Sequence, residues 1–521
     1  MLFSRDSAGA SDCLSVVRDR SSRGAGVVCG LFLLVTGVQS SAQVQFTDVT
    51  ASSGITFMNH HEKMLAGVIA ADITGDGYPE LFFNDEAGYN NELYINNGDG
   101  TFTEAGAAWG VRVPHKTAGA LFVDWDNDGL NDLVMMTSIT PDVNEIRLLR
   151  NTGDHFELFS QRDVMAARPF IGVHMTAFDY DGDGLLDLIT SGKRCEELDG
   201  QNFVLRNNRR GSFDILQPFV AQTTGCSPWQ EVAADLNEDG LMDVFTARDT
   251  GTVSRVYLQQ TDGQMLDFGG DLGITDGPDM GVSIADYDMD GDQDIYVTDI
   301  STPNSGRNRL FQNQLMETGA LGFVNVANQI GVANTGVGWG SSFFDYDNDG
   351  YPDLAVASMN EASRLFHNRG DGTYEKVGDQ IGFAPVGNAE GLITLDYDLD
   401  GDLDIVLANQ MGPAQIYRND GGDAAGGWIK VNLVDHSGDN IHGVGAKVRI
   451  FAGNQVLYHQ TKTGTSYNSQ EPYLLHFGLG VNVGQCNVEV EWPDGEVTMI
   501  ENAPAEEVLT IVRGARTHFR K

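Results

Sequence analysis

The chain has 521 residues, enough for two or more domains, and its 41% hydrophobic content can fill a sizeable core, so it is not a disordered chain. Its 74 acidic residues against 32 basic ones give a formal charge of −42, which weighs against nucleic acid and anionic membrane as partners.

At the N-terminus, Arg18, Arg20 and Arg23 precede an apolar run from about Gly24 to Val38, and Ser40 with Ala42 supplies small residues for cleavage before Gln43. Residues 1–42 therefore read as a signal peptide. The run is too short for a membrane span, and no later segment is apolar enough for one. The mature chain is expected to be secreted to the exterior or the periplasm.

Next comes Phe46-Thr-Asp-Val-Thr-Ala-Ser-Ser-Gly54-Ile55, an aromatic strand start followed some nine residues later by Gly and an apolar residue. The same pattern returns at Phe102 to Val111, Phe323 to Val332 and Tyr374 to Phe383. Interleaved with it stand seven acidic loops, of which Asp345-Tyr-Asp347-Asn-Asp349-Gly350-Tyr351-Pro-Asp353 is the clearest. Carboxylates at positions 1, 3, 5 and 9 are hard oxygen donors, the Gly at position 6 allows a sharp reversal, and position 7 offers a backbone carbonyl. Such acids repel one another without a cation, and oxygen-only ligation in a flexible loop favours calcium. The strand-like Leu354-Ala-Val-Ala that follows marks a strand-to-strand loop, not an EF-hand helix.

In positions 1, 3, 5, 7 and 9 the first loop has Asp72, Thr74, Asp76, Tyr78 and Glu80. The second has Asp124, Asp126, Asp128, Leu130 and Asp132, and the third Asp179, Asp181, Asp183, Leu185 and Asp187. The fourth has Asp235, Asn237, Asp239, Leu241 and Asp243, and the fifth Asp286, Asp288, Asp290, Asp292 and Asp294. The sixth has Asp345, Asp347, Asp349, Tyr351 and Asp353, and the seventh Asp396, Asp398, Asp400, Asp402 and Asp404. Thr74 and Asn237 reduce the charge of their loops and predict weaker binding, whereas Asp292 and Asp402 add charge and predict the tightest. The seven loops hold 29 acidic residues, and seven calcium ions leave about two-thirds of the formal excess.

The loop starts are 51 to 59 residues apart, the period of a propeller blade. Each unit reads as strand, acidic loop, strand, strand, tight turn (Asn97-Gly-Asp-Gly100, Arg369-Gly-Asp-Gly372) and a fourth strand opening on an aromatic. The last unit stops at its third strand, Ile416-Tyr-Arg-Asn419, so the segment at Phe46 is expected to complete it. The expected fold is all-β, a seven-bladed β-propeller over residues 43–422 closed by an N-terminal strand, which removes its exposed edges. Acidic loops and Gly-Asp-Gly turns fall on one face; connections between second and third strands and between blades fall on the other.

Cys13 and Cys29 lie in the signal, leaving Cys195, Cys226 and Cys486. Cys195 and Cys226 fall on the same face of adjacent blades, which predicts a disulfide; two separately buried thiols are the alternative. After the Gly421–Gly427 linker, residues 428–514 read as a compact all-β unit of five or more strands. His442 and His476 there lack a spaced set of further ligands, so structural roles are expected of both.

The acidic repeats resemble the FG-GAP/VCBS repeats of integrin alpha-subunit propellers and their bacterial relatives. The resemblance implies structural calcium in the loops and partner binding on the opposite face. The C-terminal segments Gly443-Val-Gly-Ala-Lys-Val-Arg449, Leu475-His-Phe-Gly-Leu-Gly480 and Val488-Glu-Val-Glu-Trp-Pro-Asp-Gly495 resemble the ASPIC/UnbV domain. Their union is similar to the cartilage acidic protein type of secreted chain, without its cysteine-rich C-terminal module, since no cysteine follows Trp492.

The function expected is a secreted, calcium-stabilised recognition or adhesion protein without catalytic activity, whose non-calcium face binds an extracellular protein or glycan. No Gly-x-Ser-x-Gly elbow with partners, His-Glu-x-x-His or phosphate loop occurs. The alternative is a carbohydrate-active enzyme or lectin. It would use His60, His61, His115 and His174, or Trp109, Trp229 and Trp339, on the non-calcium face.

Overall fold

The structure, a computed structural model, describes residues 44–520 apart from 61–64, 86–89, 114–115, 141–142, 163–173, 192–201, 209–212, 221–227, 250–252, 301–306, 334–335, 422–425, 437–439 and 515–517. The signal segment and the Cys195–Cys226 pair lie outside the described residues. Cys486 is a buried free thiol, raised to about 11 by burial.

Seven antiparallel blades follow one another along the chain, the sixth and seventh joined into one sheet by pairing of Asp353–Ala362 with Val386–Leu395. The first runs Val68–Ala71, Glu80–Phe83, Glu92–Asn96, Phe102–Glu104 in hydrogen-bonded order, and the next five repeat that order, the fourth with an added parallel strand, Phe219–Val220. The seventh has Val386–Leu395, Asp404–Asn409 and Gln415–Asn419, and its fourth strand is the N-terminal Phe46–Asp48, paired to Gln415–Asn419 from Phe46 opposite Asn419. The N-terminal strand thus completes the last blade, as the repeat pattern predicts.

Hydrophobic packing closes the ring. One cluster joins blade one to blade two through Phe82, Phe122 and Phe156, and another spans blades two, three and four. Further clusters seal four to five, five to six and six to seven, and Ile393, Leu395 and Val406 meet Val68, Ala70 and Leu81 to seal seven to one. The first strands are buried along almost their whole length, because each is covered by a neighbour on both sheet faces.

The fourth strands are shorter than their pattern predicts. Phe323–Asn325 ends after three residues and a helical turn, Ala327–Ile330, follows, closed by Gly331 at φ 96°. The chain must leave the outer edge of one blade and return to the axis, and the left-handed glycine makes that turn. A Cβ on Gly331 would lie 2.9 Å from the Tyr374 carbonyl oxygen of the next blade, and one on Gly54 2.6 Å from that of Phe102. The Gly-apolar signature is therefore a blade-to-blade contact.

A polar belt reinforces the same joints. The third strand of each blade ends in Asn96, Asn151, Asn207, Gln259, Asn313, Asn368 or Asn419. The side-chain amide of each donates to the position-2 carbonyl of the preceding blade's acidic loop, at 2.7–3.1 Å, and Asn96 closes the circle on Tyr397. Replacing one strands a buried carbonyl, so Asn368→Ala is expected to lower stability by about 1–3 kcal/mol. An unchanged urea midpoint would refute a structural role for the belt.

Residues 427–520 form two four-stranded sheets around their own core, with Ile429, Val431, Val448, Val488, Trp492 and Leu509 at its centre. Gly427–Val434 pairs in parallel with Glu507–Val512. Between the sheets, the segment from Thr461 to Tyr473 leaves this domain and enters the propeller. Gln470 exchanges hydrogen bonds with the backbone of Val68 and Ala70 in blade one and, by its side chain, with Phe122 in blade two. Thr463 meets Ala177 in blade three, the Gly464 carbonyl accepts from Gln230 in blade four, and Lys462 donates to the Ile284 carbonyl in blade five. Glu471 accepts from Ser342 in blade six and Thr394 in blade seven. A segment that touches all seven innermost strands lies on their common axis, so the C-terminal domain plugs the channel.

Candidate metal centres

The seven acidic loops share one backbone path. Position 4 is left-handed in every loop, at Gly75, Asn127, Gly182, Glu238, Met289, Asn348 and Leu399, and so is the position-6 glycine. The second of these follows from the sequence; the first does not, because five non-glycine residues occupy a conformation that ordinarily disfavours them. Asn127 and Asn348 are residues that tolerate it, while Glu238, Met289 and Leu399 are held there by their surroundings.

Hydrogen bonding assigns the carboxylates distinct tasks. The position-1 oxygens accept backbone N–H groups within their own loop, as Asp345 does from Asp349 and Gly350 at 3.1 and 2.7 Å. The position-5 carboxylate accepts the N–H of position 7 in all seven loops. The position-9 Asp of loops two to seven accepts from position 2 with one oxygen and from the third-strand Asn or Gln with the other, as Asp353 does from Tyr346 and Asn368. Glu80 makes only the first of these bonds, and its second oxygen is buried without a partner.

Position 3 is different. Thr74 Oγ1, Asp126 Oδ1, Asp288 Oδ1, Asp347 Oδ1 and Asp398 Oδ1 are buried with no hydrogen-bond donor. A buried acceptor without a donor costs about 1–3 kcal/mol and more when charged, so five at one repeat position share a missing partner. Around them, oxygens of Asp124, Asp126 and Asp132 lie within 4.8 Å of one another, as do those of Asp179, Asp181 and Asp187, and of Asp286, Asp288 and Asp290. In the sixth loop, His367 joins Asp347 and Asp353. In the fourth, the Asn237 amide donates to the Asp239 carboxylate at 3.0 Å and its oxygen accepts the Asp239 backbone N–H at 3.2 Å, so it is not bare.

Burial pushes the carboxyls upward. Asp132 and Asp187 rise to about 8 and Asp124 and Asp179 to about 6, desolvation leading and neighbouring carboxylates adding to it. Asp286 and Glu80 reach about 8 for the same reasons, and Asp345, Asp353 and Asp404 are raised well above the usual range. Groups so placed call for a positive charge, and the donor set, closely spaced and all oxygen apart from His367 beside the sixth loop, fits a hard divalent cation.

The C-terminal domain sits on this loop face. Its Lys447 lies 2.8 Å from Asp235 and 2.5 Å from Glu238, and its Lys430 pairs with Asp396. Trp428 abuts Gly401, and Gln455 abuts Gly350. Neither lysine is legible as a loop partner in the sequence, because a distant strand delivers each. His442 stacks on Tyr473 and is lowered to about 4 by burial, and His476, likewise lowered, to about 3, donates from Nε2 to the Gly401 carbonyl 3.0 Å away. Both are packing residues, as the sequence predicts.

Among the described residues proposed for a glycan site, Trp229 and Trp339 meet, with ring centroids 6.2 Å apart, but not on an open surface. Trp229 and Trp339 are buried and pack on Tyr467 of the plug, and Trp109 is buried against Phe156. His174 is buried beside Glu231, with Gly464 against its ring, while His60 is half-exposed near Asp85. His61 and His115 lie outside the described residues. The plug occupies the place those aromatic rings would have offered to a ligand.

Residues 72–135, 124–190, 235–297 and 345–407 match the FG-GAP-like repeat family, and residues 436–518 match the ASPIC and UnbV family. The chain is 24% identical over 469 residues to Cartilage acidic protein 1 of Mus musculus, covering 86% of this chain and 64% of that protein. To the Homo sapiens protein of the same name it is 24% identical, covering 84% and 61%. The chain thus spans a little under two thirds of the length of these curated relatives. Among solved structures, BBS1N in complex with ARL6DN is similar at TM-score 0.44 and 12% identity, over 71% of this chain and 96% of that one. A likeness of that score supports no statement about function.

Proposed function

We propose that this chain of FG-GAP-like repeats joined to an ASPIC and UnbV domain is a secreted, non-catalytic recognition protein whose acidic loops hold calcium. The observation that carries the calcium reading is the bare, buried position-3 oxygen repeated in five loops. Calcium takes six to eight oxygens at 2.3–2.6 Å and tolerates irregular geometry, so a loop of carboxylates with a backbone carbonyl suits it. Position-3 and position-5 side chains would hold the ion, while the position-1 and position-9 carboxylates divide their oxygens between it and the backbone.

The role of the ions is to hold the scaffold. The position-9 carboxylate bonds the N–H of the third-strand Asn, whose amide bonds the preceding loop, so each filled loop is tied to its neighbours. With the C-terminal domain seated on loops four, six and seven and the channel plugged, recognition falls to the other face. There Val386 at the start of blade seven, Met411 between its second and third strands and Met58 before blade one are exposed apolar residues, and Met58 bridges to Pro413. No helix among the described residues is long and apolar enough to cross a membrane. The signal segment supports export, and the names of the relatives support an extracellular setting.

Equilibrium dialysis of the mature chain against radioactive calcium tests the metal reading. Several ions per chain are expected at about millimolar calcium, the level that fills extracellular sites. Fewer than one ion would sink it.

A further inference from the structure

We propose that blade five holds a second divalent cation, beside the loop ion, between Asp290, Asp292 and Glu317. The three offer oxygens within 4.8 Å of one another, and Glu317 lies on the short helix Leu315–Thr318, outside the repeat motif. This goes beyond the loop reading but rests on it, because Asp290 also belongs to the cluster of Asp286 and Asp288 and would bridge the two ions.

The Asp292 side chain points to a ligand independently of the clustering. Asp292 is 0% exposed, and its Oδ1 has no donor although its Oδ2 accepts the Met316 N–H at 3.1 Å. Blade seven supplies the comparison. Asp402 stands at the same loop position, and its Oδ1 is satisfied by the Asn348 amide at 2.8 Å. Among the described residues no such amide reaches Asp292 Oδ1: Gln312 serves Asp288 and Glu317, at 2.6 and 2.9 Å.

Charge gives the second argument. Loops two, three, four, six and seven each have a basic side chain at hand: Arg150, Arg206, Lys447, His367 and Lys430. Among the described residues, loop five has no ion pair, since Lys462 bonds there to the Gln293 side chain and the Ile284 carbonyl, yet it gathers Asp286, Asp288, Asp290, Asp292, Asp294 and Glu317. One divalent ion leaves that group with a formal charge of −4, and a second reduces it to −2. Loop one also lacks a basic neighbour, but it has only three acids. The donor set is carboxylate oxygen alone, so the ion is a hard one of the calcium class.

The test counts calcium in the mature full-length chain by equilibrium dialysis, comparing wild type with Glu317→Gln, Asp292→Asn and Asp353→Asn. Glu317 is exposed, so Glu317→Gln does not threaten folding. Glu317→Gln and Asp292→Asn are each expected to bind one ion fewer than wild type, and Asp353→Asn, which damages loop six, likewise one fewer. If Glu317→Gln keeps the full count while Asp353→Asn loses an ion, the second site is refuted and the loop reading stands. If no variant changes the count, the loop reading falls with it.

Discussion

Chelation is expected to lower the thermal midpoint of the mature chain by about 15 °C or more, measured by scanning calorimetry in EDTA against millimolar calcium. A site filled at a hundredfold excess over its Kd contributes about 2.7 kcal/mol, because the ion binds the folded loop and little of the unfolded chain. Seven such sites amount to roughly 19 kcal/mol, more than the whole stability of a typical domain. Each kcal/mol moves the midpoint by about 2–4 °C in a chain of 150–250 residues and by less in a longer one, so the estimate is conservative. An unchanged midpoint would overturn the calcium reading.

The size of that shift should depend on pH, and its sign follows from the carboxyls. Asp132, Asp187 and Asp286 rise to about 8 when folded, from an ordinary value near 3.8, chiefly through burial. Between those limits the metal-free native state binds more protons than the unfolded chain, so its stability falls as pH rises from about 4 to 8. Calcium takes the ionised form and displaces those protons, so its binding strengthens over the same range. The gap between calcium and EDTA midpoints is therefore expected to be wider at pH 8 than at pH 5. A gap independent of pH would mean that the buried carboxylates are not the ligands.

Blade number, closure by the Phe46 strand and the position-6 glycines were legible because each is a local pattern repeated at a fixed period. The role of the third-strand Asn was not. Its position is local, and the repeated Asn at Asn96, Asn151, Asn207, Asn313, Asn368 and Asn419 was a signal open to notice, but its partner lies in the preceding blade. Lys430, Lys447 and Glu317 were less legible still. Each occurs once, outside the repeat, and only the docking of a second domain or a short surface helix brings it to a loop. The plug falls in the same class, since nothing in Thr461 to Tyr473 marks a segment that hydrogen-bonds to seven strands.

The plug makes the second large prediction. Tyr467 is 1% exposed and wedged between Trp339 and Trp229, with ring centroids 5.0 and 6.5 Å away. Removing a buried aromatic side chain costs about 3–5 kcal/mol, and the rings around Tyr467 are carried by the first strands of blades four and six, held in a closed ring that cannot collapse inward. Tyr467→Ala is expected to lose that amount in urea unfolding at saturating calcium. The shape of the transition should change as well. In the wild-type chain the plug bonds to every blade, so propeller and C-terminal domain are expected to unfold together in one transition. With Tyr467 truncated and Gln470→Ala added, which also removes the side-chain bonds to Phe122, the C-terminal domain keeps its own core but loses its hold on the axis. Two transitions are then expected, the domain and the ring melting separately. A loss below about 1 kcal/mol with a single transition preserved would show that the lysine clamps on the loop face, and not the plug, join the two domains.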